Sequence, residues 1–198
     1  MKEMDIIFLL DKSGSMHGSE DDTIGGFNSF IEKERKKEYN TKVTTIIFVH
    51  EYEVLYERKP ISEVKELTRK EYEVRGSTAL IDAIGKTIHK MDKEISGSVL
   101  FVITTDGMEN SSKKYTNENI KNMISNHNWE FIFIGADIDS YSQARMLGID
   151  ETHTANYKKS KMGVNAMFCS VSDASTIMFE EKSIKNSNWK ENLEKYDD

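Results

Sequence analysis

The stretch that decides the fold is Ile6-Ile7-Phe8-Leu9-Leu10-Asp11-Lys12-Ser13-Gly14-Ser15. It begins with an unbroken apolar run, which is typical of a strand covered by helices on both faces. It then changes at once to an acid, two serines and a glycine, which is the composition of a tight turn. The stretch therefore predicts a buried strand of a parallel sheet that ends in a polar loop.

Further apolar runs predict the rest of the sheet. Three of them are rich in β-branched and aromatic residues and lie at 43–49, 99–104 and 129–134. A fourth strand is predicted at 52–56. Only His50 and Glu51 separate it from the run at 43–49, so we expect a hairpin and one antiparallel edge strand.

Segments with helical spacing lie between these strands. Apolar stripes occur at 24–31, 80–91, 120–124 and 141–147, and a last one starts at 162–169. The alternation predicts a three-layer, doubly wound α/β fold with helices on both faces of a mainly parallel sheet of about six strands. One edge strand of that sheet is expected to be antiparallel.

The length of 198 residues suits one domain with a substantial core. We expect the domain over residues 1–180. The remaining residues, 181–198, are dominated by Lys, Glu and Asn, and Trp189, Leu193 and Tyr196 are among their few large apolar side chains. This composition predicts a charged tail or a weakly docked segment.

Charge and composition exclude several classes of partner. The net charge is −7 and the sequence pI is about 5.4, opposite to the basic surface that nucleic-acid binding requires. No stretch approaches the roughly 20 apolar residues that span a membrane. The single cysteine, Cys169, has no internal disulfide partner, and the first apolar run is too short for a signal peptide. We therefore expect a cytoplasmic protein.

Two other loops carry the same kind of polar side chain as the first turn. Thr104-Thr105-Asp106-Gly107 follows a long strand, and Thr78 precedes the predicted helix at 80–91. Ligands of open α/β sheets bind at the carboxyl ends of the strands. Carboxylate and hydroxyl oxygens suit Mg²⁺, Mn²⁺ or Ca²⁺. Zinc is disfavoured because the histidines are scattered and the cysteine is alone.

In these residues the sequence resembles the von Willebrand factor A (VWA) family. The metal-ion-dependent adhesion site (MIDAS) of that family follows the pattern Asp-x-Ser-x-Ser, then Thr, then Asp, and the matching residues here are Asp11, Ser13, Ser15, Thr78 and Asp106. The resemblance also covers the order of elements from about residue 5 to about residue 169. It implies that the three hydroxyls contact the ion directly, and the two carboxylates directly or through water. It further implies that the strands ending in the two aspartates are neighbours.

The function implied by this resemblance is a metal-dependent protein–protein interaction module that is not an enzyme. We expect Mg²⁺, with Mn²⁺ or Ca²⁺ as alternatives, and a partner protein that offers an Asp or Glu carboxylate to the ion. Without the partner, the dissociation constant should be on the order of 10⁻⁴ M, as in carboxylate-poor calcium modules. Metal and partner should then bind cooperatively. Relatives in cells also suggest an adaptor of a larger ATPase-associated complex.

Other interpretations of the same residues stay open. One is a Mg²⁺-dependent phosphatase in which Asp11 accepts the phosphoryl group, although such chemistry expects a second acid where Ser13 stands. Another is a scaffold whose motif has lost its metal. Residues 11–15 also suit a simple capped turn, and Thr78 suits a helix N-cap.

Four neighbouring polar residues have less specific expectations. Asp137 and Asp139 follow another strand, where capping the next helix is favoured over a place at the site. His17 is a candidate for the rim of the site. Lys12 is expected to be solvated.

Overall fold

The computed structural model describes residues 3–195, in which helices and strands alternate. The strands are β1 (Glu3–Asp11), β2 (Asn40–Phe48), β3 (Tyr52–Pro60), β4 (Ser98–Thr105), β5 (Glu130–Gly135) and β6 (Thr154–Asn156). The helices are α1 (Glu20–Arg35), α2 (Leu80–Met91), α3 (Asn117–Ser125), α4 (Ser140–Met146), α5 (Lys161–Glu181) and α6 (Glu191–Glu194).

The strands form a single sheet in the order β3-β2-β1-β4-β5-β6. Strand β1 lies at its centre, in parallel register with β2 on one side and β4 on the other, so that Leu10 pairs with both Ile47 and Thr104. Only the β2–β3 hairpin is antiparallel. The predicted fold class is confirmed, including the antiparallel edge strand.

The two faces of the sheet are covered by different helices. Alternate residues of a strand point to opposite faces, and in β1 the side chains of Ile6 and Phe8 join α1 and α5, while Ile7 joins α2, α3 and α4. Phe8 makes edge-to-face contacts with Phe27 and Phe30 of α1, with ring centroids 5.6 and 5.0 Å apart. Burial on both faces explains why the strand reads as an unbroken apolar run.

The sequence did not locate the sixth strand. Strand β6 is only three residues long and pairs in parallel with the end of β5. A segment this short has no apolar run or alternation from which it could be recognised. The other five strands and the five predicted helical segments lie where the sequence placed them, and α5 continues to Glu181. None of the helices within residues 3–195 is long and apolar enough to cross a membrane.

The segment after α5 packs more firmly than its composition predicts. Ile184 and Trp189 are fully buried in the same core as β1, and Leu193 is 3% exposed. The indole Nε1 of Trp189 also donates a 2.8 Å hydrogen bond to the carbonyl of Thr152. The side chains of these residues are therefore docked rather than frayed. The boundary near residue 180 stays a prediction, and Tyr196 lies outside the described residues.

Candidate metal site

The candidate site lies at the carboxyl ends of the two central strands. Asp11 is the last residue of β1, and Asp106 directly follows β4, its parallel neighbour. Strands β2 and β3 lie on one side of β1, and strands β4, β5 and β6 lie on the other. Connections diverge at such a switch point and leave a crevice there. The predicted adjacency of the two strand ends is confirmed.

Both carboxylate oxygens of Asp11 already accept hydrogen bonds. Oδ1 accepts one of 2.7 Å from the backbone N–H of Ser13, and Oδ2 accepts one of 2.6 Å from Thr105 Oγ1. The residue is 1% exposed. Burial, assisted by the negative charge of Asp106, raises the pKa of Asp11 to about 6 against the opposing effect of these hydrogen bonds. Asp11 is therefore a fixed, buried acid that orients the loop after β1.

The two serines of the first loop link Asp11 to the second aspartate. Ser13 Oγ lies 3.0 Å from Ser15 Oγ, and Ser15 Oγ donates a 2.5 Å hydrogen bond to Asp106 Oδ1. Ser13 is 1% exposed, whereas Ser15 is exposed. The Ser13 hydroxyl is thus the buried member of this pair, and the Ser15 hydroxyl lies at the surface.

Backbone contacts between loops hold Thr78 at the same edge. The N–H of Gly14 donates to the carbonyl of Gly76 at 3.0 Å, and Gly76 adopts a left-handed φ of +71° that favours glycine. Thr78 exchanges two 3.0 Å hydrogen bonds with Asn110, one through the Asn110 side chain and one through its backbone N–H. Ala79 rather than Thr78 is the N-cap of α2, so the interpretation of Thr78 as a helix cap is wrong.

The three hydroxyls converge around Gly107. A methyl group at this position would lie 2.6 Å from Thr78 Oγ1, 3.0 Å from Ser15 Oγ and 3.3 Å from Ser13 Oγ. Only glycine leaves the space between these oxygens open. The space belongs to a surface cleft of about 300 Å³ that Asp106 also lines. All five predicted residues are therefore brought to one edge of the sheet, although they lie in three separate stretches of the chain.

The sequence did not reveal a lysine that enters this cleft. Lys159 Nζ lies 2.7 Å from Asp106 Oδ2 and donates a 2.6 Å hydrogen bond to the carbonyl of Ser15. Asp106 Oδ2 is buried and accepts no well-directed hydrogen bond from residues 3–195, so its contact with the ammonium is ionic. Lys159 precedes α5 and has no motif or spacing that ties it to Asp106. Only the fold brings them together.

Asp137 and Asp139 take different roles. Asp139 caps α4 by accepting a 3.0 Å hydrogen bond from Ser142 N, as expected. Asp137 instead lines the edge of the cleft, 3.9 Å from Lys159 Nζ.

Lys12 and His17, which lie near the first loop, are not among the residues that line the cleft. His17 is exposed and pairs with Glu20 at 3.1 Å. The expectation that Lys12 is solvated is wrong, because Lys12 is 5% exposed and its Nζ lies 3.0 Å from Glu53.

The donor set fits a hard divalent cation. No group of three or more His, Cys, Asp or Glu side chains within the described part of the chain is arranged to hold a metal. A cation in this cleft would therefore rest on hydroxyl and carboxylate oxygens together, which suits Mg²⁺ and related ions. The gap at Gly107 and Oδ2 of Asp106, whose close contact is the ion pair with Lys159, are the two structural features that such an ion would use.

Solved structures with the same fold come from several sources. The pilus adhesin SpaC of Lactobacillus rhamnosus GG superposes with a TM-score of 0.72 at 13% identity, over 87% of this chain and 30% of that one. The minor pilin PilB of Streptococcus sanguinis gives 0.68 at 10% identity, over 91% and 62%. Proximal thread matrix protein 1 from the mussel byssus, with a zinc-occupied MIDAS motif, gives 0.60 at 15%, over 91% and 44%.

These likenesses concern the fold alone, because the identities are low. The chain also spans less than half of the mussel protein and of the pilus adhesin. No curated protein sequence matches it. The sequence model of the von Willebrand factor type A domain, however, matches residues 5–167. Together with the sheet order and the loops at its switch point, this match shows that the chain belongs to the von Willebrand factor type A domain family.

Proposed function

We propose that this domain is a metal-dependent protein-interaction module. Asp11, Ser13, Ser15, Thr78 and Asp106 would hold one divalent cation as a complete MIDAS, and the ion would bind an acidic residue of a partner protein. The observation that carries the proposal is the convergence of three hydroxyls on the gap at Gly107, beside the buried carboxylate of Asp106.

The charge of the donor set explains why a partner's carboxylate suits this site. Two aspartates are its only acidic members, and both oxygens of Asp11 are already engaged by Ser13 and Thr105. When bound, a dication would supply positive charge that these residues neutralise only in part. The exposed Ser15 places the open side of the site toward solvent. A carboxylate is the ligand that best completes such a set of hard oxygens.

The identity of the metal and the cellular setting of the domain are separate parts of the proposal. Mg²⁺ is our first candidate, with Mn²⁺ and Ca²⁺ as alternatives. Zn²⁺ belongs in the test because the structure of the mussel protein has zinc in its MIDAS motif. The cytoplasmic location stays a prediction from the sequence, and membership of an ATPase-associated complex stays an expectation from the family resemblance.

The geometry of Asp11 supports a binding role over phosphoryl transfer. A nucleophilic aspartate needs an oxygen that is free to attack a phosphorus atom. Asp11 is 1% exposed, and each of its oxygens accepts a short hydrogen bond. We therefore expect no Mg²⁺-dependent hydrolysis of a generic aryl phosphate. Turnover that the Asp11→Asn variant abolishes would favour the phosphatase instead.

Calorimetric titration with Mg²⁺, Mn²⁺ and Zn²⁺ tests the metal site. We expect wild-type affinity on the order of 10⁻⁴ M, and losses of roughly tenfold or more in Ser13→Ala and Thr78→Val. Thr104→Val is the matched control, because the Thr104 hydroxyl donates to the Leu9 carbonyl inside the sheet. Equal affinity in all four proteins would place the ion elsewhere.

Affinity capture followed by mutation of the captured partner tests the interaction. A partner should be retained with Mg²⁺, and lost with EDTA or with the Asp11→Ala variant. Replacing one Asp or Glu of that partner with its amide should abolish binding measured with the two purified proteins. Equal affinity in EDTA would contradict a metal-bridged contact.

A further inference from the structure

Lys159 places a positive charge between two carboxylates of the cleft, those of Asp106 and Asp137. Its Nζ lies 2.7 Å from Asp106 Oδ2 and 3.9 Å from Asp137 Oδ2, and it donates to the carbonyl of Ser15 at 2.6 Å. The Asp106 side chain is fully buried, whereas that of Lys159 is 23% exposed. The lysine thus reaches in from the cleft rim to a carboxylate oxygen with no other close donor within residues 3–195.

The groups around Lys159 are those expected around a cation. A carboxylate oxygen, a backbone carbonyl and a second, more distant carboxylate face the ammonium. Ser15 Oγ meanwhile donates to the other oxygen of Asp106, so both oxygens of this carboxylate are in use. A dication that needs Asp106 has to compete for it with the ammonium.

We propose that Lys159 is a built-in competitor of the metal, which neutralises Asp106 in the metal-free domain and has to withdraw when a divalent cation binds. The inference rests on the proposed function, since it concerns the same site. A lysine suits this role because its compact charge sits on a flexible four-carbon stem. It can leave the cleft for solvent without any rearrangement of the sheet. Lys159 would thereby set how much metal is needed before a partner can bind.

The test compares Lys159→Met with Lys158→Met. Lys158 is the neighbouring residue and is exposed, so both variants lose one positive charge from the same segment. Binding of Mn²⁺ is measured directly from the electron paramagnetic resonance signal of the free ion, and binding of Mg²⁺ by calorimetry. Lys159→Gln serves as a second, polar variant in case the apolar one does not fold.

We expect Lys159→Met and Lys159→Gln to bind Mn²⁺ about tenfold more tightly than wild type, equivalent to about 1.4 kcal/mol. Lys158→Met should stay within about twofold of wild type, because its charge lies outside the site. Saturating Mg²⁺ should also raise the melting temperature of the Lys159 variants more than that of wild type, since tighter binding stabilises the folded state further.

The outcomes separate this inference from the proposed function. Unchanged or weaker Mn²⁺ affinity in both Lys159 variants, with measurable binding in wild type, would overturn the competitor role and leave the metal site intact. Equal tightening in Lys158→Met would also overturn it, because a general charge effect would then suffice. Absence of binding in every protein would overturn the metal site itself. Binding of Mn²⁺ by the Lys159 variants, without measurable binding by wild type, would support both the metal site and the competitor role of Lys159.

Discussion

Thr105 Oγ1 donates a 2.6 Å hydrogen bond to Asp11 Oδ2, so the last residue of β4 holds the last residue of β1. Thr105 is fully buried and Asp11 nearly so. This contact across the two central strands fixes the carboxylate from which the first loop of the candidate site is built. It makes Thr105 part of the site, although Thr105 does not belong to the matched motif.

Replacing Thr105 with valine removes this donor at nearly constant volume, and it also removes the oxygen that accepts a 3.1 Å hydrogen bond from the Gly107 N–H. We expect a loss of about 1–3 kcal/mol in the free energy of unfolding, since Asp11 keeps a buried oxygen without a partner. The pKa of Asp11, raised by burial to about 6, should rise further without the hydrogen bond. The affinity of the site for a metal ion should fall, because the Asp11 carboxylate is no longer held in place. Urea denaturation, NMR titration of the carboxyl carbon and calorimetry measure these three effects.

Thr104→Val is the control for that prediction. Its hydroxyl donates to the Leu9 carbonyl at 3.1 Å and so lies outside the site. Stability should fall, but metal affinity and the pKa of Asp11 should not change. An equal loss of metal affinity in the two variants would show that Thr105 acts only through general stability.

Replacing Gly107 with alanine fills the gap between the hydroxyls. The added methyl would lie 2.6 Å from Thr78 Oγ1, so this side chain has to move away from the site. We expect metal binding to fall below detection while the protein stays folded, as judged by calorimetry and circular dichroism. Gly97→Ala is the control, because its methyl would meet only the Glu3 carbonyl, at 3.6 Å. Normal metal binding by Gly107→Ala would show that the ion does not use this gap.

Truncating Trp189 to alanine tests whether the C-terminal segment stabilises the domain. Trp189 is fully buried and its indole donates to the Thr152 carbonyl. Removal of such a side chain typically costs about 3–5 kcal/mol in the free energy of unfolding. Lys185→Ala, at an exposed position of the same segment, should change it by less than about 0.5 kcal/mol. Similar urea midpoints for the two variants would indicate a segment that is only loosely attached.

The hydrogen bonds of Asp82 predict that the stability of the domain depends on pH in the acid range. Its carboxylate accepts hydrogen bonds of 2.9 to 3.0 Å from three consecutive N–H groups, those of residues 113–115. Burial acts to raise the pKa of Asp82, but these donors and the charge of Lys86 together lower it below its ordinary value. Because the pKa is lower in the folded state, this stabilisation is present above about pH 4 and is lost as the pH falls through the folded-state pKa.

Urea denaturation between pH 6 and pH 2.5 checks this effect. The Asp82→Asn variant should be less stable than wild type at pH 6, and the difference should shrink as the pH falls. Glu118→Gln, which removes an exposed carboxylate from the start of α3, serves as the control for the loss of a surface charge. A constant difference between wild type and Asp82→Asn at every pH would mean that the charge of Asp82 has no part in holding this loop.

The sequence by itself determined the layered α/β fold, because burial on both faces leaves unbroken apolar runs in the central strands. It also identified five polar residues in loops after strands or before a helix. They can be recognised in the sequence because a hydroxyl or carboxylate next to an apolar run breaks the pattern of that run. Pattern and spacing are local properties of the chain. They predicted the elements and the candidate ligands, and they predicted that β1 and β4 would be neighbours once the family resemblance was included.

Only the tertiary structure decided which distant side chains meet. Strand β6 is too short to leave a pattern, and Trp189 stands in a charged segment that looks solvated but contributes to the core. Lys12 and Lys159 are ordinary lysines in the sequence, yet one is buried against Glu53 and the other reaches Asp106. A long charged side chain carries no local signal of its partner, because that partner is chosen by the packing of loops far apart in the chain.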